Sequence, residues 1–537
     1  MDHSTKEALD VQYILNKIEI LTPYGMMFKS RMKPYHIGQE KNLKFQLDLL
    51  EAYIYFVADN SIRREFNNIL SHFKDLRNTM KRVMEGFILS EVELFEIKNF
   101  LFLLRDLDKL IKTNNIPIFQ DTNIETIEIL EKFLDPENTG ISTFYIYDAY
   151  SETLKIIREN KRNADKQIKL EKKTIREKIK KELNIDLRPD NTVVISKENK
   201  NIINKLHNYS RLAYVSETYM NIRFAIKPTE HINLLERQIL TFKDQEEQEE
   251  LKIRDTLSKE IEKRRREIYR NMLSIGKLDL ILAKAKYALD IDGVKPNITL
   301  EHNIKIEEGR HPKVEDFLMN KNLKFTPISI ELKEGVTCIT GANMGGKTIS
   351  IKLIGLLSTM AYYGLYIPAK SMTLGLNKYI KTSIGDMQST DSGLSTFGGE
   401  IKVVSEAIER ADEKGLILID ELARGTNPEE GYAISKAIVT YLKDKQSITL
   451  LTTHYDNVAD IEDVVHLQVI GLSRLNFQEI AEELKESDGM SIINKYMDYR
   501  LRVVDKQTIV PKDALNIARI MGLDEKILEI AESIMSK

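Results

Sequence analysis

Gly335-Val336-Thr337-Cys338-Ile339-Thr340-Gly341-Ala342-Asn343-Met344-Gly345-Gly346-Lys347-Thr348 is the stretch from which the rest of the chain can be read. A β-branched, apolar run enters a glycine-rich turn, and Ile349 to Tyr363 beyond it reads as a helix. This is G-x-x-x-x-G-K-[ST] in its strand, loop and helix setting. Glycines let backbone N–H groups face phosphates at the positive end of a helix. Lys347 then reaches the β- and γ-phosphates, and the Thr348 hydroxyl holds Mg2+. The predicted nucleotide-binding set is therefore Gly341, Ala342, Asn343, Met344, Gly345, Gly346, Lys347 and Thr348, with ATP and Mg2+ as ligands. Cys338, the only cysteine, lies inside the apolar run and is read as strand packing, which leaves no disulfide framework and fits a reducing compartment.

Two further strand ends downstream carry chemistry. Leu416-Ile417-Leu418-Ile419 is a buried-strand run that ends in Asp420-Glu421. A carboxylate there meets the Mg2+ shell, and its neighbour polarises an attacking water, so Asp420 is the metal-side residue and Glu421 the predicted general base. Ile448 to Thr453 is a third such run, and it ends at His454, placed to sense a γ-phosphate. The order of P-loop, Asp-Glu pair and strand-end histidine is far more restrictive than any one of them.

Upstream the character differs. Residues from about 5 to 150 read as helices, with apolar residues recurring at three and four in Leu43 to Phe56 and Val92 to Leu110. From Ser151 to Leu183 the chain is rich in Lys and Arg, and Ala164, Ile168, Ile175 and Ile179 form a narrow stripe at helical spacing. A second long helix is expected from about Ile232 to Asp290, striped by Ile253, Leu257, Ile261, Ile268, Met272 and Ile275. Between them, Pro189, the β-like run Thr192 to Ser196 and Pro228 mark a compact tip at 186–231. Matched thin stripes predict an antiparallel coiled-coil arm carrying that tip. The expected fold is mixed: a helical base at 1–150, the arm at 151–290, an α/β P-loop domain at 291–486 and a helical segment at 487–537.

The 537 residues carry 79 Lys and Arg against 82 Asp and Glu, a net charge of −3, so no global field favours a polyanion and any nucleic-acid contact is local. The amino terminus lacks the apolar core of a signal peptide, and no apolar run approaches the ~18 residues of a membrane span. A soluble, cytoplasmic protein without membrane partners is expected.

These motifs resemble those of a known family. Thr340 to Thr348 looks like the P-loop of MutS proteins, and Asp420-Glu421-Leu422-Ala423-Arg424-Gly425-Thr426 like their Asp-Glu-Leu-Gly-Arg-Gly-Thr segment. Thr453-His454-Tyr455, Gly309-Arg310-His311-Pro312 and Ser395-Thr396-Phe397 resemble three more of the family's signatures. The resemblance implies an ABC-type composite site in which Ser395 and Thr396 act in trans on nucleotide held by a second head. It makes Gly385, Asp386 and Gln388 a link between nucleotide and arm movement, and Arg424 a further candidate of the Asp-Glu segment. The adenine-stacking aromatic would fall near Leu323 or Phe325. Ala514 to Leu523 resembles the helical motif through which MutS heads dimerise, so a homodimer or a heterodimer with another MutS-like subunit is implied.

Departures from the pattern narrow the function. The chain begins with helices and has no Phe-x-Glu tripeptide in its first half, which argues against mismatch reading, and no nuclease-like tail is expected beyond Met535. Ala423 and Ala342 replace a family glycine and proline without removing a ligand. The chain is similar to the short MutS-like ATPase subunits, called KamB, that accompany adenosylcobalamin-dependent lysine 5,6-aminomutase as a reactivating factor. That resemblance implies an ATP-hydrolysing switch with the cobalamin enzyme as partner. The alternatives are a clamp on mismatched or branched DNA, and a regulatory nucleotide switch.

Overall fold

A computed structural model describes residues 1–341, 346–385, 396–423, 426–472, 497–504 and 513–535. They form a mixed α/β fold in two compact units, one of residues 72–112 and 123–274, the other of residues 1–71, 113–122 and 275–537. Both are discontinuous in sequence.

The first unit is helical around a long pair. Helix Glu152–Leu183 starts on Ser151, whose side chain accepts the Leu154 N–H, and ends at Asn184 in the left-handed conformation. Helix Glu230–Lys263 starts on Thr229, which caps Ile232 in the same way. They run antiparallel: Arg158 bonds to Glu246 and Glu250, and farther along Lys172 pairs with Glu236 and Glu171 with His231. Arg158 also holds Asp148, and although burial opposes its charge, these three carboxylates keep its pKa above the ordinary arginine value. All ten predicted stripe residues, from Ala164 to Ile275, are buried, the last three of them on helix Arg265–Asp290. One expectation fails in detail. The second long helix is interrupted at Arg264, whose backbone (φ −104°, ψ 16°) separates Glu230–Lys263 from Arg265–Asp290.

Between the paired helices lies the tip, whose first strand β1 (Thr192–Ser196) was legible from sequence. It pairs antiparallel with β3 (Asn221–Ile226), which pairs with β2 (Leu212–Glu217), giving the order β1-β3-β2. Helix Lys200–His207 covers this sheet through Leu206, and Phe224, fully buried, centres a small core with Ile179, Leu187 and Ile232.

The second unit contains the stretch predicted to bind nucleotide. Its smaller sheet contains β4 (Asn297–Thr299), β5 (Asn303–Gly309), β6 (Ile328–Lys333) and β8 (Ser371–Gly375) in the order β4-β8-β5-β6. The larger contains β7 (Gly335–Thr340), β9 (Ile380–Ser383), β10 (Leu416–Ile419), β11 (Ile448–Thr452), β12 (Val465–Gly471) and β13 (Asp498–Val503). Its order is β13-β12-β7-β11-β10-β9, and all pairs are parallel except β12 with β13. Every residue of β7, β10 and β11 is buried, as expected for parallel strands covered on both faces. Cys338 is among them, and burial pushes its thiol up to about 12, so it is packing and not a nucleophile. Among the described residues, no helix is long and apolar enough to cross a membrane.

Lys98 in the helical unit is fully buried, and its Nζ donates to Asp135 Oδ1 (3.1 Å), the Thr143 carbonyl (3.0 Å) and the Tyr147 hydroxyl (2.9 Å). These contacts use the three ammonium donors and pin the 135–147 segment to helix Glu91–Thr113. Removing one partner of a buried pair strands the other charge. Lys98→Ala is expected to lower the unfolding free energy by about 3 to 5 kcal/mol in a urea titration.

Candidate functional site

The site assembles at the carboxyl ends of three adjacent strands. β11 lies between β7 and β10, with Thr452 opposite Ile339 and Leu451 opposite Ile419. The loops that follow therefore leave the sheet side by side, and each carries predicted site residues. Lys347 follows β7, His454 follows β11, and Asp420 and Glu421 follow β10.

On the β7 side, Gly341 (φ +128°) and Gly346 (φ +80°) bracket the P-loop. At both, a Cβ would meet a neighbour: Val469 at 3.3 Å from the first, the Tyr499 ring at 3.0 Å from the second. Positive φ and close approach together account for glycine at these two positions. Helix Lys347–Tyr362 follows, with the Ser350 hydroxyl donating back to the Gly346 carbonyl at 3.0 Å. Lys347 is 3% exposed, and its Nζ donates to the Gly341 carbonyl at 2.5 Å and stands 3.4 Å from His454 Nδ1. Its ammonium thus lies against Gly341, the residue that follows β7 and opens the predicted P-loop. Thr348, half-buried, is the second residue of the same helix.

On the other side, His454 Nε2 is 2.9 Å from Glu421 Oε1. The imidazole bridges Lys347 and Glu421, joining the three predicted residues in one line. The Thr452 hydroxyl donates to Asp420 Oδ1 (2.7 Å) and accepts the backbone N–H of Glu421 (2.8 Å), which fixes the Asp420 carboxylate and the start of the turn against β11. Glu421 and Ala423 adopt the left-handed conformation, at φ +52° and +63°. Strained backbone of this kind gathers at functional sites. It also explains why the resembling family has glycine where Ala423 stands.

The donor set suits Mg2+ with a nucleotide. Among the described residues no three His, Cys, Asp or Glu side chains converge as a self-sufficient metal cage. One carboxylate and one hydroxyl, Asp420 and Thr348, are what a phosphate-bound Mg2+ asks of a protein, since water and phosphate fill its remaining positions. Bound there, Mg2+ would supply neutralisation of phosphate charge.

Several predicted residues lie outside the described ones: Ala342, Asn343, Met344 and Gly345 of the P-loop, Asp386 and Gln388, Ser395, and Arg424. Thr396 begins helix Thr396–Ile408. Leu323 and Phe325 are both half-buried between helix Pro312–Met319 and β6. Residues that sequence reasoning missed are Thr452, whose contacts depend on strand register, Glu400, which accepts the Ala423 N–H at 2.9 Å, and Tyr499, whose ring covers Gly346. Only Glu400 had a local signal, standing four residues after Thr396 on one helix face.

The Gly-Arg-His-Pro segment is structural. Arg310 bonds Glu315 and the carbonyls of Ile291 and Asp292. His311 is fully buried at the start of helix Pro312–Met319, with no hydrogen-bond partner for either ring nitrogen.

Residues 337–537 match the family model for MutS domain V. The chain is 29% identical over 527 residues to the Endonuclease MutS2 of Caldanaerobacter subterraneus subsp. tengcongensis, covering 94% of this chain and 61% of that protein. It is 33% identical over 399 residues to the Endonuclease MutS2 of Acetivibrio thermocellus, covering 72% of this chain and 48% of that protein. It is 28% identical over 514 residues to the DNA mismatch repair protein MutS of Aquifex pyrophilus, covering 91% of this chain and 55% of that protein. The chain spans 48 to 61% of the length of these three relatives.

Burial lowers the His311 pKa to about 4 from 6.5, with Asp10 opposing and Lys352 and Lys313 reinforcing the shift. The unfolded chain takes up a proton near pH 6.5 that the folded chain refuses until about pH 4, so His311 destabilises the protein as pH falls through that window. His311→Gln is expected to remove roughly 2 kcal/mol of the stability lost between pH 7 and pH 5, measured by urea unfolding at the two values.

Proposed function

We propose, for a MutS-like chain that carries MutS domain V over residues 337–537, that it binds and hydrolyses ATP as a dimer and uses the cycle to move its helical unit against a partner. The observation that carries this reading is the line from Lys347 through His454 to Glu421, with Asp420 oriented beside it by Thr452. In that arrangement Lys347 neutralises the β- and γ-phosphates and Glu421 accepts a proton from the attacking water. His454 holds Glu421 at one nitrogen and faces the γ-phosphate side at the other. ADP and phosphate leave, and the site returns to the contacts described above. Thr348 and Asp420 would hold Mg2+.

Dimerisation is supported by the C-terminal helices Asp513–Ile520 and Glu525–Met535. They leave Met521, Leu523, Ile527, Ile530 and Ile534 exposed on a short helical hairpin, which suits association with a second MutS-like subunit. Whether that is an identical chain decides homodimer against heterodimer.

Two partners fit this engine. An adenosylcobalamin-dependent lysine 5,6-aminomutase is favoured by the resemblance to its reactivating ATPase subunits. DNA is favoured by the names of the relatives, an endonuclease and a mismatch-repair protein. The ATP and ADP states must differ in affinity for the partner in either case. ATP turnover should rise with inactivated aminomutase, which regains activity, if the first partner is right. Turnover should rise with branched or heteroduplex DNA, and fall steeply with salt, if the second is. A regulatory switch without hydrolysis predicts no turnover under any of these conditions.

Glu421→Gln is expected to leave ATP binding intact, lower kcat about a hundredfold or more and accumulate an ATP-bound dimer, read by light scattering and retained radiolabelled nucleotide. Fast turnover by this variant would exclude Glu421 as the base. Ile530→Glu should halve the scattering mass without changing the circular dichroism spectrum.

A further inference from the structure

The turn after β10 holds two non-glycine residues, Glu421 and Ala423, in the left-handed conformation. Side chains with a Cβ adopt that backbone only where neighbours hold it. Thr452 holds the first half of the turn, at Asp420 and the Glu421 N–H. The second half is held from a different element. Glu400 Oε1, on helix Thr396–Ile408, accepts the Ala423 N–H at 2.9 Å. The carboxylate is half-buried, and burial raises its pKa against the opposing pull of this bond. A carboxylate that gives up water at a single backbone N–H is making a directional contact, not a surface ion pair.

We propose that Glu400 is a positioning residue for ATP hydrolysis: by accepting the Ala423 N–H it keeps the Asp420–Ala423 turn in the left-handed geometry that aims Glu421 at His454. This rests on the proposed hydrolysis by Glu421. Glu400 lies one helical turn from Thr396, the first residue of the helix, so the element that begins at the signature also sets the aim of the chain's own base. Movement of that helix when a nucleotide engages its start is then transmitted to Glu421 through one hydrogen bond. The P-loop is not touched by this contact, so nucleotide affinity is independent of it.

Steady-state ATP turnover by the full-length chain with Mg2+, compared among wild type, Glu400→Ala and Glu400→Gln, tests the proposal. Alanine removes the acceptor and is expected to lower kcat roughly ten- to a hundredfold, the cost of a misplaced catalytic group, while KM for ATP and the melting temperature stay near wild type. Glutamine keeps a carbonyl oxygen in the same place and is expected to restore most of kcat. Wild-type kcat in the alanine variant would overturn the proposal, as would a glutamine variant as slow as alanine. A loss of kcat accompanied by equal changes in KM and melting temperature would assign Glu400 a structural role and overturn it too. Wild-type protein that binds ATP without turning it over would instead sink the hydrolysis reading itself, and this proposal with it.

Discussion

β11 runs between β7 and β10 with Thr452 opposite Ile339 and Leu451 opposite Ile419, and the candidate site depends on that register. Three loops carry Lys347, the linking His454 and the two carboxylates, and they meet only because three parallel strands end at one level. A slip of one residue would turn each strand's side chains to the opposite face. Complete burial of the three strands on both faces resists such a slip, because every alternative register mismatches two packed layers. Gly355 of helix Lys347–Tyr362 illustrates the closeness: an added Cβ would lie 2.5 Å from Leu9 and 2.6 Å from Leu418.

The same sheet explains the role of Thr452. A threonine at the end of the central strand reaches the turn of the neighbouring strand, where its hydroxyl both donates and accepts. Glu400 completes the arrangement from the other side of the turn. Left-handed backbone at Glu421 and Ala423 is thus held by tertiary contacts at both ends and not by local preference.

In the helical unit the logic is different. Its long helices are mostly polar, and each buries only a thin stripe, so pairing rests on a narrow apolar seam flanked by ion pairs such as Arg158 with Glu246 and Glu250. Exposed ion pairs contribute little individually. The less exposed network around Arg158, and the buried Lys98 with its three acceptors, specify which surfaces meet.

Much of this was legible in the sequence because local patterns carried it. Helix Glu152–Leu183 with its Ser151 cap, strands β1 and β10, and the strand, glycine turn and helix around Lys347 follow from periodicity, capping and glycine placement within a few residues. The break at Arg264 left no proline or glycine to mark it, β2 of the tip lacks the alternation that would have announced it, and β3 alternates at Ile222, Phe224 and Ile226 over only six residues. Gly341, Gly346, Lys347, Asp420, Glu421 and His454 were nameable individually because each sits at a strand end in a recognisable order. That His454 bridges Lys347 and Glu421, that Thr452 and Glu400 hold the turn, and that residues 1–71 share a compact unit with the P-loop were decided only by tertiary structure. The physical reason is range: hydrogen bonding along a helix and side-chain alternation along a strand are set by neighbours a few positions away. Strand order and the meeting of loops are set by how separate layers bury their apolar faces together.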